Sequence, residues 1–336
     1  MSTAQAMPSR SAPQRSSLGV FARRWASQIG ITIAFIALWL TFLWLAPTVF
    51  GAERIYLSYA QTVPYFAIVA MALTMVIVAG DIDLSFPSIM ALGMVGFVWT
   101  WDATSNVLLG ALVALAVGAG AGLFNGLLVT MIGLPSLVVT IGTQFLFRGL
   151  VLVLVGGKSF ALAATRGDPT RDVLVGKSFL GIPNEFWWLV LVTVIAWLLL
   201  NRHRLGQNTY VIGDNKQAAG LMGIPIKRTR IILFVLTGLT AALAGMLNSI
   251  QIVNFYPGMG DGYLLPTLAA VFVGGTSVFG GRGSIYGTLV GAFMIGGIQA
   301  GIVAAGLTNY LEQFIYGAVI LIAVSIHAIL QRRFER

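Results

Sequence analysis

The sequence of 336 residues has no cysteine, two histidines and few charged residues, which make up 9% of the chain. Without cysteine, a disulfide scaffold, a thiolate zinc site, an iron–sulfur cluster and a thiol nucleophile are excluded. His203 and His327 are too few for a multi-histidine metal site. A soluble domain carries about a quarter charged residues. This composition therefore excludes a soluble globular protein and a disordered one.

Hydrophobic residues are abundant, at 57% of the chain. A membrane-spanning helix needs about 20 mostly apolar residues, and helices satisfy every backbone polar group in lipid. Ten segments of this kind predict an all-α membrane protein of about ten transmembrane helices, some broken or re-entrant. The predicted spans are 29–50, 62–80, 85–101, 107–132, 136–156, 184–201, 229–252, 263–279, 284–305 and 309–330.

The basic residues, which give a net charge of +9, predict the orientation. With the N-terminus in the cytoplasm, fourteen Lys and Arg fall on inner segments and five on outer ones. Because cytoplasmic loops accumulate positive charge, both termini are predicted to be cytoplasmic, and membrane orientation explains the charge better than nucleic-acid binding. The predicted parts are a disordered cytoplasmic tail (1–28), one transmembrane domain (29–330) with an outer loop (157–183) and an inner loop (201–228), and a short C-terminal tail (331–336).

The first motif is Gly80-Asp81-Ile82-Asp83-Leu84-Ser85, between two apolar segments. Carboxylates near the membrane interior are costly and face a cavity, a partner or a helix end. Ser85 is a candidate helix cap with Asp83 near the positive helix end. The motif fits a capped turn at the surface and a broken helix on a transport path equally well.

The second motif is rich in glycine and lies near the C-terminus. Gly283, Gly287 and Gly291 are spaced by four, which predicts one smooth helix face for close packing, as for Gly118, Gly122 and Gly126 earlier in the chain. The turn before them needs unusual backbone angles and places Arg282 on the cytoplasmic side. The predicted packing and turn residues are Gly274, Gly275, Gly280, Gly281, Arg282, Gly283, Gly287 and Gly291.

The third motif, residues 213–224, predicts a short helix in the inner loop, with Asp214 or Asn215 as its cap. Its apolar face could lie on the membrane or dock into a groove of a cytosolic partner.

Nucleotide and catalytic motifs are missing. The two Gly-Lys-Ser triplets lack the earlier glycine of a phosphate-binding loop, because Leu152 and Arg171 stand there. No nucleophile–base pair is evident in the membrane segments. We therefore expect no enzyme activity, no metal and no cofactor.

Together the motifs resemble the permease subunits of bacterial ABC importers for monosaccharides, the ribose, xylose, arabinose and galactose type. The resemblance covers about residues 60–325. Besides Gly80–Ser85 and 269–283, it rests on Pro135, Val139, Thr140, Gly142, Arg148 and Gly149, and on Gly213, Asn215, Ala218, Ala219, Gly223 and Ile224. Asp81 departs from the family pattern, which has glycine there.

The resemblance implies a subunit of the inner membrane that works with cytosolic ABC ATPases, a periplasmic sugar-binding protein and a second permease copy, by alternating access. It implies an ATPase-coupling helix of Gly213, Asn215, Gln217, Ala218, Ala219, Gly223 and Ile224. Polar residues at membrane depth are candidates for the translocation path, although helix–helix hydrogen bonds explain them as well. These are Asp81, Asp83, Asn125, Thr140, Thr143, Gln144, Asn248, Gln251 and Asn254.

Two other functions stay open. A stand-alone facilitator for a small polar solute would need ion-coupling carboxylates deep in its helices, whereas the acidic residues here mostly flank the spans. A membrane enzyme or scaffold would lack a catalytic set.

Overall fold

A computed structural model describes residues 17–304, 306 and 310–334 of the protein. Most of these residues are α-helical. The helices are α1 Ser17–Leu45, α2 Pro47–Phe50, α3 Glu53–Thr62, α4 Pro64–Val78, α5 Phe86–Thr104, α6 Val107–Leu127, α7 Ser136–Val155, α8 Pro169–Val175, α9 Asn184–Asn201, α10 Arg204–Asp214, α11 Lys216–Leu221, α12 Ile226–Ile252, α13 Leu264–Val273, α14 Ile285–Ala304 and α15 Tyr310–Phe334. A π-helical turn, Leu128–Ile132, extends α6, and strands β1 Phe160–Ala161 and β2 Asn254–Phe255 pair antiparallel.

Each of the ten predicted spans matches a helix, and the all-α membrane architecture is confirmed. By length and composition, six helices of the described ranges can cross a membrane, or seven if the bent pair α3 and α4 is one span. Helix α13 has ten residues, about 15 Å, half of the hydrocarbon thickness. The number of ten spans and the cytoplasmic termini stay predictions. Residues 17–28 of the predicted tail belong to α1, and residues 1–16 and 335–336 lie outside the described ranges.

The centre of the bundle is α4, whose fifteen residues are all buried. A helix that is apolar on every face is stable only inside a protein or a membrane. Helices α9, α12, α13 and α14 pack around it, and α5, α6 and α12 pack against one another. Helices α7 and α9 keep exposed apolar faces suited to lipid or to another subunit.

The glycine stripes bring helix backbones together. A Cβ atom on Gly122 of α6 would lie 2.3 Å from the carbonyl oxygen of Phe234 in α12, and one on Gly291 of α14 would lie 2.3 Å from that of Ala270 in α13. Small residues allow this approach in membrane bundles. The predicted stripe through Gly283 is wrong at that residue, because α14 begins after it, at Ile285.

Helix α5 begins inside the bundle rather than at its end. The Ser88 hydroxyl near its start donates to the carbonyl oxygen of Gln144, eight residues into α7. The preceding backbone is extended and follows α7, since the Ile82 amide donates to the Ser136 hydroxyl at the first residue of α7. The first motif is therefore the break between α4 and α5, and it runs inward along α7.

Candidate functional site

The three sequence motifs meet at one end of the bundle. Gly80 follows α4, Gly213 lies near the end of α10, and Gly280 and Gly281 belong to the loop between α13 and α14. The Gly281 amide donates to the carbonyl oxygen of Val78 at 2.9 Å. We call Gly80, Gly213, Gly280 and Gly281 the glycine junction. It joins segments that are up to about 200 residues apart in sequence into one contact.

Only glycine fits at the centre of the glycine junction. A Cβ atom on Gly213 would lie 1.8 Å from the Val78 carbonyl oxygen and 2.6 Å from the Gly281 amide nitrogen. Gly280 and Gly281 have φ of 83° and 71°, which L side chains rarely adopt. The positive φ angles confirm the unusual backbone angles that were predicted for the turn. Close backbone approach, which was not predicted, explains Gly213 of the third motif.

A tyrosine fixes α10 to the same loop. The Tyr210 hydroxyl donates to the carbonyl oxygen of Gly283 at 2.8 Å. Burial raises the pKa of Tyr210, so the phenol keeps the proton that it donates. Beside it, the exposed Arg282 accepts a hydrogen bond at its backbone carbonyl from the Ser277 amide. The loop 274–283 is therefore bound to α10 as well as to α4.

A buried ion pair lies next to the glycine junction. Arg230 of α12 donates through Nε and Nη2 to the two carboxylate oxygens of Asp81, at 2.5 Å each. Both side chains are buried, with 10% and 6% of their areas exposed. A paired charge of this kind is costly to break, because one ion is then left buried alone. The pair fixes the break after α4 to the first turns of α12.

The short helix α11 is exposed and directly joined to the glycine junction. Its predicted cap is confirmed, since the Asn215 side-chain oxygen accepts from the Ala218 amide at 2.9 Å. Ala219 is fully buried, whereas Leu221 and Met222 are 92% and 70% exposed. Two residues, Asp214 and Asn215, separate Gly213 from α11. Because this connection is so short, a displacement of α11 would also displace Gly213 and the glycine junction.

The rest of the inner-loop motif surrounds α11. Gln217 is exposed, and Ile224 donates its amide to the Ala219 carbonyl oxygen at 3.1 Å. Gly223 has φ of 74° and ends the helix in the left-handed conformation, which is common at helix C-termini. The predicted coupling residues thus form one compact projection.

Deeper in the bundle, Asp83 and Asn125 share Ser85. The Ser85 amide and hydroxyl both donate to Asp83 Oδ1, at 2.8 and 2.6 Å, and the Asn125 amide nitrogen donates to the Ser85 hydroxyl at 2.7 Å. Ser85 occupies the N-cap position of α5, but its side chain caps no amide of the described helix. The predicted Ser85 cap is wrong, because the hydroxyl is bonded to Asp83.

A second charged site lies along α7. Arg148 donates to the carbonyl oxygens of Pro257, Met259 at 3.0 Å and Pro87 at 3.3 Å, and to Asp261 Oδ1 at 2.5 Å. Arg148, which the resemblance had already marked, is thus ion-paired with a carboxylate. Asp261 itself was missed, since it lies 113 residues away and no local pattern marks it.

The other path candidates are scattered. The Thr140 hydroxyl of α7 donates to the carbonyl oxygen of Ile82, and the Thr143 hydroxyl donates to that of Thr140. Asn248 of α12 donates to the Tyr263 hydroxyl at 2.5 Å. Gln144 is half-buried, Asn254 lies in β2, and Gln251 contacts Glu185. Within the described part of the chain, hydrogen bonds bring together Asp83 and Asn125 through Ser85, Thr140 and Ile82 next to Asp81, and Thr143 and Thr140. Their roles in transport stay predictions.

Arg230 was also missed as a site residue. It was counted only among the basic residues of the inner segments. The indication that it has a partner is Asp81, a carboxylate at a position where the family pattern has glycine. The new charge needs a partner when buried, and Arg230 is that partner.

Comparison with known proteins gives consistent relatives. A family model described as a branched-chain amino acid transport system permease component matches residues 55–324. The ribose import permease protein RbsC of Escherichia coli (strain K12) is 32% identical over 305 residues, 90% of this chain and 94% of the relative. The autoinducer 2 import system permease protein LsrD of Salmonella typhi is 33% identical over 259 residues, 76% of this chain and 78% of the relative.

Proposed function

This chain belongs to that family of ABC importer permeases, and we propose that it is the membrane subunit through which an ATP-driven importer carries a ribose-type monosaccharide into the cytoplasm. The observation that carries the proposal is the exposed helix α11, joined through Gly213 to the contact of all three motifs. A subunit without a nucleotide-binding motif needs an exposed surface of this kind to bind an ATPase and to couple its conformational change to transport.

The substrate class rests on the relatives and the motifs. The family description mentions branched-chain amino acids, whereas the ribose permease aligns with 90% of this chain. The ordered motifs that match the monosaccharide importers include both the break at 80–85 and the inner loop. These two observations favour a sugar over an amino acid.

The membrane topology is part of the same proposal. Ten helices, α1, α4–α7, α9 and α12–α15, form the membrane domain of the inner membrane, with both termini in the cytoplasm. The excess of Lys and Arg at one end supports this orientation. Helix α13 covers about half of the membrane thickness and α5 begins inside the bundle, and transporters use such broken elements at their substrate path.

The proposed mechanism is alternating access between two permease copies. A cytosolic ATPase binds α11, and its closure moves the glycine junction and with it the ends of α4, α10 and α13. The break between α4 and α5 is the pivot in this proposal, because its extended backbone is connected to α7 through Ile82 and to α12 through the Asp81–Arg230 pair rather than by helix packing. A periplasmic binding protein delivers sugar at the outer end.

The experiment is affinity purification of the tagged chain from its native membrane, with identification and assay of the ATPase that co-purifies. The variant Leu221→Glu places a charge on the most exposed apolar residue of α11. Val173→Glu, on the exposed face of α8 at 62% exposure, is the matched control. We expect Leu221→Glu to lose the ATPase at least tenfold and Val173→Glu to retain it.

Two results would contradict the proposal. If Leu221→Glu retains the ATPase, α11 is not the docking helix. If the wild-type chain purifies without an ATPase and moves ribose in liposomes without ATP, it is a stand-alone facilitator.

A further inference from the structure

The loop 256–262 follows the end of α12 and strand β2, and it leads into α13. Helix α13 starts at Leu264 and ends at the loop of the glycine junction, so its ten residues place its start about 15 Å above that end. Arg148, which binds the loop, is twelve residues into α7, about 18 Å from Ser136. Along α12, the Ser249 hydroxyl donates to Met259 Sδ of the loop, and Ser249 lies nineteen residues, about 28 Å, beyond Arg230. The three helices together place the loop in the outer half of the bundle.

The loop is held in place from one side. Arg148 binds the carbonyl oxygens of Pro257 and Met259 and one carboxylate oxygen, Oδ1, of Asp261. A Cβ atom on Gly260 would lie 2.2 Å from the Pro87 carbonyl oxygen, so the loop also touches the start of α5. Guanidinium groups suit this role, because they present several donors in a rigid plane.

The opposite side of the loop is open. The Asp261 side chain is 58% exposed and Tyr256 is 42% exposed. A carboxylate exposed at membrane depth faces a water-filled cavity rather than lipid, since contact with hydrocarbon is costly for a charge. The open face of 256–262 therefore lines an aqueous space.

Gly258 leaves a gap between a carboxylate and an aromatic ring. A Cβ atom built on Gly258 would lie 3.8 Å from Asp261 Oδ2 and 3.8 Å from two ring carbons of Tyr256. The Oδ1 oxygen is bonded to Arg148, so Oδ2 is the oxygen that faces the gap. Carboxylate oxygens accept hydrogen bonds strongly from hydroxyl groups, and an aromatic ring offers an apolar face.

We propose that Tyr256, Gly258 and Asp261 form a sugar-binding station within the translocation path, with Arg148 as the positioning residue. Hydroxyl groups of the sugar donate to Asp261 Oδ2, the C–H face packs on Tyr256, and Gly258 is the floor of the gap. The station rests on the proposed function and adds to it the place where sugar is bound between the outer and inner openings.

The test uses the purified importer in liposomes, with its co-purifying ATPase and binding protein. The probes are ¹⁴C-labelled ribose, xylose, arabinose and galactose, and the sugar that the wild type transports fastest is used for the variants. The readout is sugar transported per ATP hydrolysed. Gly258→Ala fills the gap without a clash, and Asp261→Asn removes the charge. Gly262→Ala is the control, because its Cβ atom would meet no atom of the described residues within 4 Å.

We expect Gly258→Ala and Asp261→Asn to reduce sugar per ATP about tenfold, with ATP hydrolysis within twofold of wild type, and Gly262→Ala to match wild type. Gly258→Ala keeps the ion pair, so it decides the matter if Asp261→Asn folds poorly. A wild-type ratio for Gly258→Ala overturns the station and leaves the proposed function standing. A wild-type importer that transports none of the four sugars overturns the proposed function, and the station with it. A parallel loss of ATP hydrolysis in Gly258→Ala assigns the loop a structural role and also overturns the station.

Discussion

The glycine junction and the loop held by Arg148 are built in opposite ways. At the glycine junction, backbone meets backbone, and the side chains are absent because no space remains for them. Around Arg148, one long side chain gathers three carbonyl oxygens and a carboxylate from separate segments. In the proposed mechanism, the first region transmits movement between helices through direct contact, whereas the second fixes a loop whose Asp261 side chain is exposed.

This difference explains which region the sequence revealed. Glycines with fixed spacing leave a local pattern, so the motifs at 213–224 and 274–283 could be found without coordinates. Arg148 and Asp261 are single residues 113 positions apart, and each alone resembles an ordinary interfacial charge. Electrostatic partners of this kind become visible only when the fold brings them together.

The largest effect is expected at the ion pair beside the glycine junction, which is a strong side-chain contact in a region built mainly from backbone contacts. Asp81→Ala leaves Arg230 buried without its partner and should destabilise the protein by about 3–5 kcal/mol. Thermal unfolding of the purified chain in mild detergent measures the change.

The double variant Asp81→Ala with Arg230→Met is the matched control for that prediction. Removing both charges abolishes the uncompensated ion, and the apolar replacement is often neutral for a buried pair. We expect the double variant to recover most of the lost stability. Additive losses in the two single variants and the double variant would show that the two side chains do not stabilise each other.

A methyl group at Gly213 tests the backbone contact itself. Gly213→Ala would place the Cβ atom 1.8 Å from the Val78 carbonyl oxygen, and neither backbone can move without displacing α4 or α10. We expect a loss of about 3 kcal/mol, the upper end of the usual cost of overpacking, measured by the same unfolding assay. Gly120→Ala on α6, where the new atom meets nothing within 4 Å of the described residues, should be neutral or slightly stabilising. Equal stability of both variants would contradict the close contact.

The sequence predicted element positions better than it predicted depth. Apolar runs locate all ten long or broken helices because burial of apolar side chains is a local property of the chain. The start of α5 inside the bundle depends on Ser88 bonding to Gln144 and Ile82 to Ser136, contacts across more than 50 residues. Likewise, the Ser85 hydroxyl had two local uses, and the fold selected Asp83 over the helix amides. Hydrogen-bond choices of this type are made by tertiary structure.

Arg148→Lys tests the side-chain contacts that hold the loop 256–262. The variant retains the positive charge but replaces the planar guanidinium group with a single ammonium group. A lysine cannot reach three carbonyl oxygens and Asp261 together, and the loss of hydrogen bonds to a charged group costs about 2 kcal/mol. This corresponds to a roughly 30-fold larger population of the open loop, which hydrogen–deuterium exchange of the amides of 256 and 258–262 would detect. Amides within α4 serve as the internal reference, because that helix is buried throughout. Unchanged exchange in 256–262 would mean that the touch of Gly260 on Pro87 alone fixes the loop, and the two regions would then be built alike, from backbone contact.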